Sequence, residues 1–501
     1  MTRTLAATLM LQGTSSSVGK SYLAAGLCRL YARRGLKVAP FKAQNMALNA
    51  AVTLDGYEIG RAQAVQAQAA GVAAEVAMNP ILLKAEGEST CQVIFMGRPI
   101  GRHSAAAYLQ LRPSLWPEVR SALNSLRRRF DLVVIEGAGS QAELNLRHGE
   151  LVNKRVAAAA GAPVLLIADI ERGGVFASLL GTLDLLRPAE RGRVKGLVVN
   201  RFRGDPGLFR DGVQLLERRS GLPVLGVVPS LDIRLPAEDS LDLPRLNAPR
   251  AGAALDVVMI GLPRISNFDD FEPLLDEPGV SLRLITEPGR LGRPDLIILP
   301  GSKATMADLA HLRRTGMGEA IRQARMSGAA VLGVCGGYQM LGRTISDPLG
   351  VEEAGEMPGL DLLPASTTFE PEKVTQRRIG VALGGRGMMA NVEGVEVTGY
   401  EIRLGRVLTQ GQPVLDLAGE PEGCLSEDGW VLGTSLHGLF LNAGLRRAIL
   451  RSLAARKGAC LPEVEARDGD PFDRLADALA TSLNVAALDA IVWRSAPVVP
   501  R

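Results

Sequence analysis

Residues Gln12-Gly13-Thr14-Ser15-Ser16-Ser17-Val18-Gly19-Lys20-Ser21 decide the first half of the fold. An apolar run, Ala6–Leu11, enters this stretch, and an amphipathic run, Lys20–Arg34, leaves it. A strand therefore passes through a turn of small residues into a helix. Small residues let backbone N–H groups close around phosphate oxygens, and the helix that follows aims its positive end at the anion. The pattern reads as a P-loop for ATP: Gly13, Thr14, Ser17, Val18 and Gly19 form the cradle, and Lys20 meets the β- and γ-phosphates. The Ser21 hydroxyl reaches Mg²⁺. The loop is one residue longer than the strict GxxxxGK[ST] pattern, so a plain Ser/Gly-rich turn is the competing reading.

Outward from this loop, short apolar runs alternate with amphipathic ones. Strands are expected at Lys37–Pro40, Asp131–Ile135, Pro163–Ala168, Lys195–Val199 and Val224–Val228, with a helix at Gly60–Ala74. A second set follows at Asp256–Gly261, Leu282–Thr286, Asp295–Leu299, Ala330–Val334, Val395–Thr398 and Val431–Ser435. Strand–helix alternation implies parallel sheets covered on both faces. The expectation is an α/β protein with two doubly wound parallel-sheet domains, residues 1–230 and 254–445. They are separated by a Pro-, Asp- and Ala-rich linker (231–253) and followed by a helical tail (446–501).

Composition narrows the partners. Hydrophobic residues make up 47% and charged residues 22%, ordinary for a globular chain, and the formal charge of +4 offers no electrostatic case for nucleic acid. The run Arg127–Arg129 precedes an apolar strand and reads as a helix end. Cys28, Cys91, Cys335, Cys424 and Cys460 are widely spaced with no CxxC pair, which argues against a disulfide framework and favours a reducing, cytoplasmic setting. No apolar run is long enough to span a bilayer, and the N-terminus carries no cleavable signal pattern.

Further site candidates lie at strand ends. Glu136 closes the run Leu132–Ile135 where the crevice of an open α/β sheet lies, and is a second Mg²⁺ ligand candidate. Asn200 is a candidate for the adenine edge. Lys42, Gln44 and Asn45 follow a strand near the phosphate loop and are candidates for holding a substrate carboxylate, with a polar loop as the alternative. In the second half, Gly333-Val334-Cys335-Gly336-Gly337-Tyr338-Gln339 runs from a strand into a helix, the setting of a nucleophile elbow. A thiolate there gains from the helix N-terminus. Gly336 and Gly301 are candidates for backbone oxyanion and glutamine binding. Of the four histidines, His437 in Gly433-Thr434-Ser435-Leu436-His437-Gly438 is the candidate base; His103, His148 and His311 lack comparable context.

Two resemblances follow from these motifs. GTSSSVGKS (Gly13–Ser21), EGAGS (Glu136–Ser140) and VVNRF (Val198–Phe202) together resemble the dethiobiotin synthetase-like P-loop family, which activates carboxylates with ATP. GVCGGYQ with GTSLHG resembles the class I, triad-type glutamine amidotransferases. More text extends the likeness over about residues 5–445: PFKAQNMALNA (Pro40–Ala50), EIGRAQAVQAQAAG (Glu58–Gly71), MNPILLK (Met78–Lys84), ADIERGGVFASLLGTL (Ala168–Leu183) and PRISNFDDFEPL (Pro263–Leu274). These resemble the cobyric acid synthase family.

That resemblance implies ATP- and glutamine-dependent amidation of the b, d, e and g carboxylates of adenosylcobyrinic acid a,c-diamide. It implies Mg²⁺, no tightly bound organic cofactor, and small-molecule partners only: glutamine, ATP and the corrinoid acid. Two departures stand out. The glutamate usual two residues after the histidine is Leu439 here, with Glu401 a possible substitute, and Arg403 stands where family members commonly carry histidine. The alternatives are a cobyrinic acid a,c-diamide synthase, or a regulatory P-loop ATPase with an inert glutaminase-like domain.

Overall fold

Long apolar runs buried on both faces build two parallel sheets. The computed structural model describes residues 5–86, 89–143, 150–236, 243, 246–463 and 469–494. The first sheet contains β1 (Ala7–Gly13), β2 (Val38–Phe41), β3 (Leu132–Ser140), β4 (Val164–Asp169), β5 (Val194–Phe202) and β6 (Val224–Pro229). Their order is β6-β5-β4-β1-β3-β2, and every pairing is parallel. All of β1 is buried. Because β4–β6 lie on one side of it and β2–β3 on the other, Gly13 opens onto the switch point where such sheets bind ligands. Helix α1 (Lys20–Arg33) leaves the loop after Gly19, whose φ of 90° favours glycine. Helix α2 (Arg61–Ala69) is shorter than the expected Gly60–Ala74, since Gly71 at φ 70° ends it in the left-handed manner.

The second sheet holds β7 (Leu255–Ile260), β8 (Val280–Ile285), β9 (Leu296–Leu299), β10 (Ala330–Val334), β11 (Cys424–Leu425) and β12 (Val431–Thr434). Their order is β8-β7-β9-β10-β12-β11, parallel except for the last pair. Helix α3 (Gly336–Leu341) follows β10. The chain thus contains two doubly wound domains, as expected, with antiparallel additions that the sequence reading did not resolve. Val395–Thr398 does not join the parallel sheet. It lies at the start of Glu396–Thr409, which pairs antiparallel with Ala365–Ala382. The mixed buried and exposed residues of that ribbon suit a sheet with one solvated face. The first domain carries its own small sheet from Gln44–Met46, Ile81–Ala85, Thr90–Phe95 and Arg98–Ser104.

These additions meet across the domain interface. Ala47, Ala50, Val52, Leu82 and Ile94 of the first domain form one buried cluster with Tyr400 and Ile402 of the second. Lys373 Nζ lies 2.5 Å from Glu58 Oε2, which also pairs with Lys84. Burial opposes ionisation of Glu58, but the two lysines outweigh it and bring the carboxyl down to about 2. Lys303 Nζ lies 2.6 Å from Glu86 Oε1. Removing one partner of a buried pair is costly, so such contacts define how two surfaces register.

The linker and the tail are less separate than expected. Leu246 is buried and Ala248 pairs with Leu282, so the end of the expected linker already lines the second domain; residues 237–242 and 244–245 lie outside the described residues. Within the expected tail, α4 (Ala443–Arg456) packs on the second domain. Helices α5 (Pro471–Ser482) and α6 (Val485–Arg494) instead return to the first. Phe472, Leu475 and Leu479 of α5 join the core under α1, and the Asn484 N–H donates to the Leu225 carbonyl. Arg29 pairs with Asp473 at 2.7 Å, Arg33 with Asp477 at 2.7 Å and Arg34 with Asp489 at 2.9 Å. Residues 464–468 and 495–501 lie outside the described residues. Among the described residues no helix is long and apolar enough to cross a membrane.

Candidate active sites

At the end of β1 the loop folds around the lysine that follows it. Lys20 Nζ donates to the carbonyls of Ser15 (3.0 Å) and Gly139 (3.1 Å). Thr14 N–H donates to the Ile167 carbonyl, while Ser15 and Ser16 are exposed. Val18 is buried and Ser17 takes a positive φ of 58°. Asn200 Nδ2 donates to the Val18 carbonyl at 2.8 Å. A Cβ on Gly19 would lie 2.2 Å from that same nitrogen, so the close approach demands glycine. The structure therefore places Asn200 against the loop backbone, where its amide braces the cradle.

Glu136 gathers the polar groups of this end of the sheet. Ser21 Oγ donates to Glu136 Oε1 at 2.8 Å, Lys42 Nζ lies 2.7 Å from the same oxygen, and Gln66 Nε2 donates to Oε2 at 2.6 Å. Burial opposes the charge on Glu136, but Lys42 and these hydrogen bonds outweigh it and lower its pKa. Ser21 and Glu136 thus bring two hard oxygen donors together, the kind of set that suits Mg²⁺ with substrate phosphates. The other two substrate candidates point to neighbours of their own. Gln44 Oε1 accepts from Tyr108 Oη at 2.6 Å, and Asn45 Oδ1 accepts from the Met46 N–H at 3.0 Å. Lys42 is engaged too, by the Glu136 carboxylate. Gln66 was not singled out from the sequence; its place in a helix of alternating Ala and Gln gave it no distinguishing signal.

The second site forms where β10 turns into α3. Cys335 has φ 51° and ψ −110°, a strained conformation for a residue with a side chain and the geometry of an elbow. Gly337 makes the turn possible, since a Cβ there would lie 2.0 Å from the Leu299 carbonyl oxygen. Gly301 and Gly336 come to the same place: a Cβ on Gly301 would lie 3.2 Å from His437 Cε1, and one on Gly336 would lie 2.8 Å from the Ser302 nitrogen. Cys335, His437, Gln339, Glu352 and Arg403 line one cavity, together with Lys373 and with Lys84 of the first domain.

His437 is held on three sides. Its backbone exchanges two hydrogen bonds with Tyr400, whose ring stacks on the imidazole at a centroid distance of 5.2 Å. Its Nδ1 lies 2.7 Å from Asp270 Oδ2, while Asp270 Oδ1 accepts from the Gly438 N–H at 2.8 Å. Burial disfavours the imidazolium, yet the Asp270 carboxylate and a thiolate at Cys335 outweigh it and raise His437 to about 10. Glu401, suggested as the orienting carboxylate, instead engages Arg403 (2.9 Å) and Gln376 (2.7 Å). Leu439 is buried in the core. The orienting group thus comes from Asp270, remote in sequence. A signal was present in Asn267-Phe268-Asp269-Asp270-Phe271, because carboxylates between aromatic core residues need buried partners.

Comparisons with known proteins agree with this division. Residues 9–241 match the CobQ/CobB/MinD/ParA nucleotide binding domain, and residues 256–445 match the CobB/CobQ-like glutamine amidotransferase domain. The cobyric acid synthase of Sorangium cellulosum is 51% identical, with 97% of this chain and 99% of that protein covered. That of Desulforudis audaxviator is 50% identical at the same coverage. That of Dehalococcoides mccartyi (strain ATCC BAA-2266 / KCTC 15142 / 195) is 47% identical, with 96% and 97% covered. With a nucleotide-binding sheet, a glutaminase-type elbow and relatives alike over nearly their whole length, the chain belongs to the cobyric acid synthase family.

Proposed function

We propose that this enzyme amidates the b, d, e and g carboxylates of adenosylcobyrinic acid a,c-diamide, using ATP·Mg²⁺ and ammonia drawn from glutamine, in the cytoplasm. The observation that carries this reading is the pairing of a P-loop on β1 with a Cys335–His437–Asp270 cluster in one chain. The relatives named above are cobyric acid synthases, which favours this activity over the a,c-diamide synthase and over a regulatory ATPase.

In the glutaminase half, Cys335 attacks the side-chain amide carbon of glutamine. His437 takes the thiol proton and passes it to the leaving nitrogen, so ammonia departs and a thioester remains for water to cleave. Asp270 holds the imidazole in the orientation this requires. Backbone N–H groups at Gly336 and Gly301 receive the oxyanion. In the synthetase half, a substrate carboxylate oxygen attacks the γ-phosphorus, ADP leaves, and the acyl phosphate loses phosphate to ammonia. Phosphorylation is needed because a carboxylate is a poor electrophile with a poor leaving group. Lys20 and the loop backbone hold the phosphates, and Ser21 and Glu136 would hold Mg²⁺, which supplies charge neutralisation at the transferring phosphoryl group. Lys42 guides the substrate carboxylate, with Gln44 and Asn45 on the segment beside it.

Mass spectrometry of the corrinoid after incubation with ATP, Mg²⁺ and glutamine tests this. Each amidation replaces OH by NH₂, and the expected end product carries this change at the b, d, e and g positions. An a,c-diamide left unchanged, or an enzyme that instead converts unamidated cobyrinic acid only as far as its a,c-diamide, would refute the reading.

Asp270→Asn is expected to lower glutaminase turnover by about 10²-fold, the scale of a misaligned catalytic group. The amide retains the shape but loses the charge, and its NH₂ would face the imidazole nitrogen it must hold. Amidation driven by added ammonia should stay within about twofold, since Asp270 lies in the glutaminase domain. A glutamate-release assay beside an ammonia-driven amidation assay checks both halves.

A further inference from the structure

We propose that Arg61, on the synthetase domain, is a positioning residue of the glutaminase: it neutralises Asp269 and so leaves the adjacent Asp270 to hold His437. The inference rests on the two-site reading above.

Arg61 opens α2 and crosses the interface. Its Nη2 lies 2.6 Å from Asp269 Oδ2, with side chains 13% and 1% exposed. The start of the helix is fixed on both sides. Arg61 N–H donates to the Asn49 carbonyl at 3.3 Å, and a Cβ on the preceding Gly60 would lie 2.7 Å from Asn79 Oδ1. Asp269 and Asp270 are consecutive and buried beside one imidazole. Asp270 commits one oxygen to His437 and the other to the Gly438 N–H. Among the described residues, the basic side chain paired with Asp269 is Arg61. The charge of the same guanidinium is also favoured by the fields of Tyr400, Asp270 and Glu272, and Tyr400 stacks on His437.

Two like charges this close cannot both stay ionised in a buried site without a counter-charge. Burial pushes Asp269 up to about 6, with Asp270 adding to the rise, while Arg61 and His437 pull against it. Without the guanidinium, the carboxylate of Asp269 loses its paired cation while it stays buried next to Asp270. Its repulsion turns Asp270 out of line with Nδ1, and with that go the tautomer and the aim of Nε2, whereas an amide at position 269 exerts no such repulsion. The synthetase domain thus supplies a working part of the glutaminase.

The test uses the full-length enzyme as wild type, Asp269→Asn, Arg61→Gln and the double variant. Glutamate release and ammonia-driven amidation are measured side by side. Arg61→Gln should lose about 100-fold in glutaminase kcat and keep ammonia-driven amidation. Asp269→Asn should stay within about threefold of wild type, and the double variant should return to its level, because the buried charge and its partner leave together. A residue that only shapes the interface gives no such recovery. A double variant more than about tenfold below Asp269→Asn overturns the proposal, as does an Arg61→Gln enzyme with wild-type glutaminase. If Arg61→Gln fails to fold, the comparison of Asp269→Asn with the double variant decides alone. Absence of glutamate release from the wild type would overturn the two-site reading itself, and this proposal with it.

Discussion

Cys335→Ser should abolish glutamine-dependent amidation, by about 10⁴-fold or more, the scale on which enzymes lose a catalytic nucleophile. A serine hydroxyl is far less ionised than a thiol near neutral pH and is a weaker nucleophile in the same place. The elbow itself should persist, because its shape comes from Gly337 beneath Leu299 and from the Cys335 N–H bonded to the Thr434 carbonyl. Ammonia supplied at a pH where part of it is unprotonated should restore product formation. Steady-state amidation measured with each nitrogen source checks the result. Equal loss with both sources would mean that Cys335 serves the fold or the synthetase rather than glutamine hydrolysis.

Lys20→Ala should reduce amidation by about 10³-fold with glutamine and with ammonia alike, the magnitude of removing a preorganised charge from a transition state. Lys20 Nζ sits over the loop between the Ser15 and Gly139 carbonyls, so its loss also leaves two acceptors without that donor. ADP release and amide formation should fall together in a coupled assay. Glutamate release should persist, because Cys335, His437 and Asp270 lie in the other domain. An ammonia-driven rate near that of the wild type would remove Lys20 from phosphoryl transfer.

Much of this was legible in the sequence wherever chemistry and local backbone coincide. The small-residue loop before Lys20 and the glycines around Cys335 are required by tight turns, so their motifs carry both shape and function. The parallel strands were legible as apolar runs because both of their faces are buried. The ribbon Ala365–Ala382 with Glu396–Thr409 was legible only at Val395–Thr398, since its many polar residues hide the rest of the strands behind what reads as loop. Asp270 escaped for a different reason. The expected carboxylate position was two residues from His437, whereas the partner arrives from 167 residues away through the packing of Phe271 against Phe440. Glu401 looked suitable by sequence, but Arg403 and Gln376 occupy it. Long-range pairing of this kind is set by tertiary structure and leaves no local period to read.

The return of α5 and α6 onto α1 gives the chain a topology that a simple bead-on-string picture misses. The glutaminase is an insertion, entered before Leu255 and left after Arg456, within a synthetase whose last helices close over its first. It is anchored at both ends, so its local concentration at the opposing surface stays high between turnovers. Severing the first crossing would leave the halves joined through the second crossing and the α1–α5 seam, and severing the second would leave them joined by the first. Nitrogen supply and demand in such an enzyme are matched by permanent proximity rather than by repeated encounter.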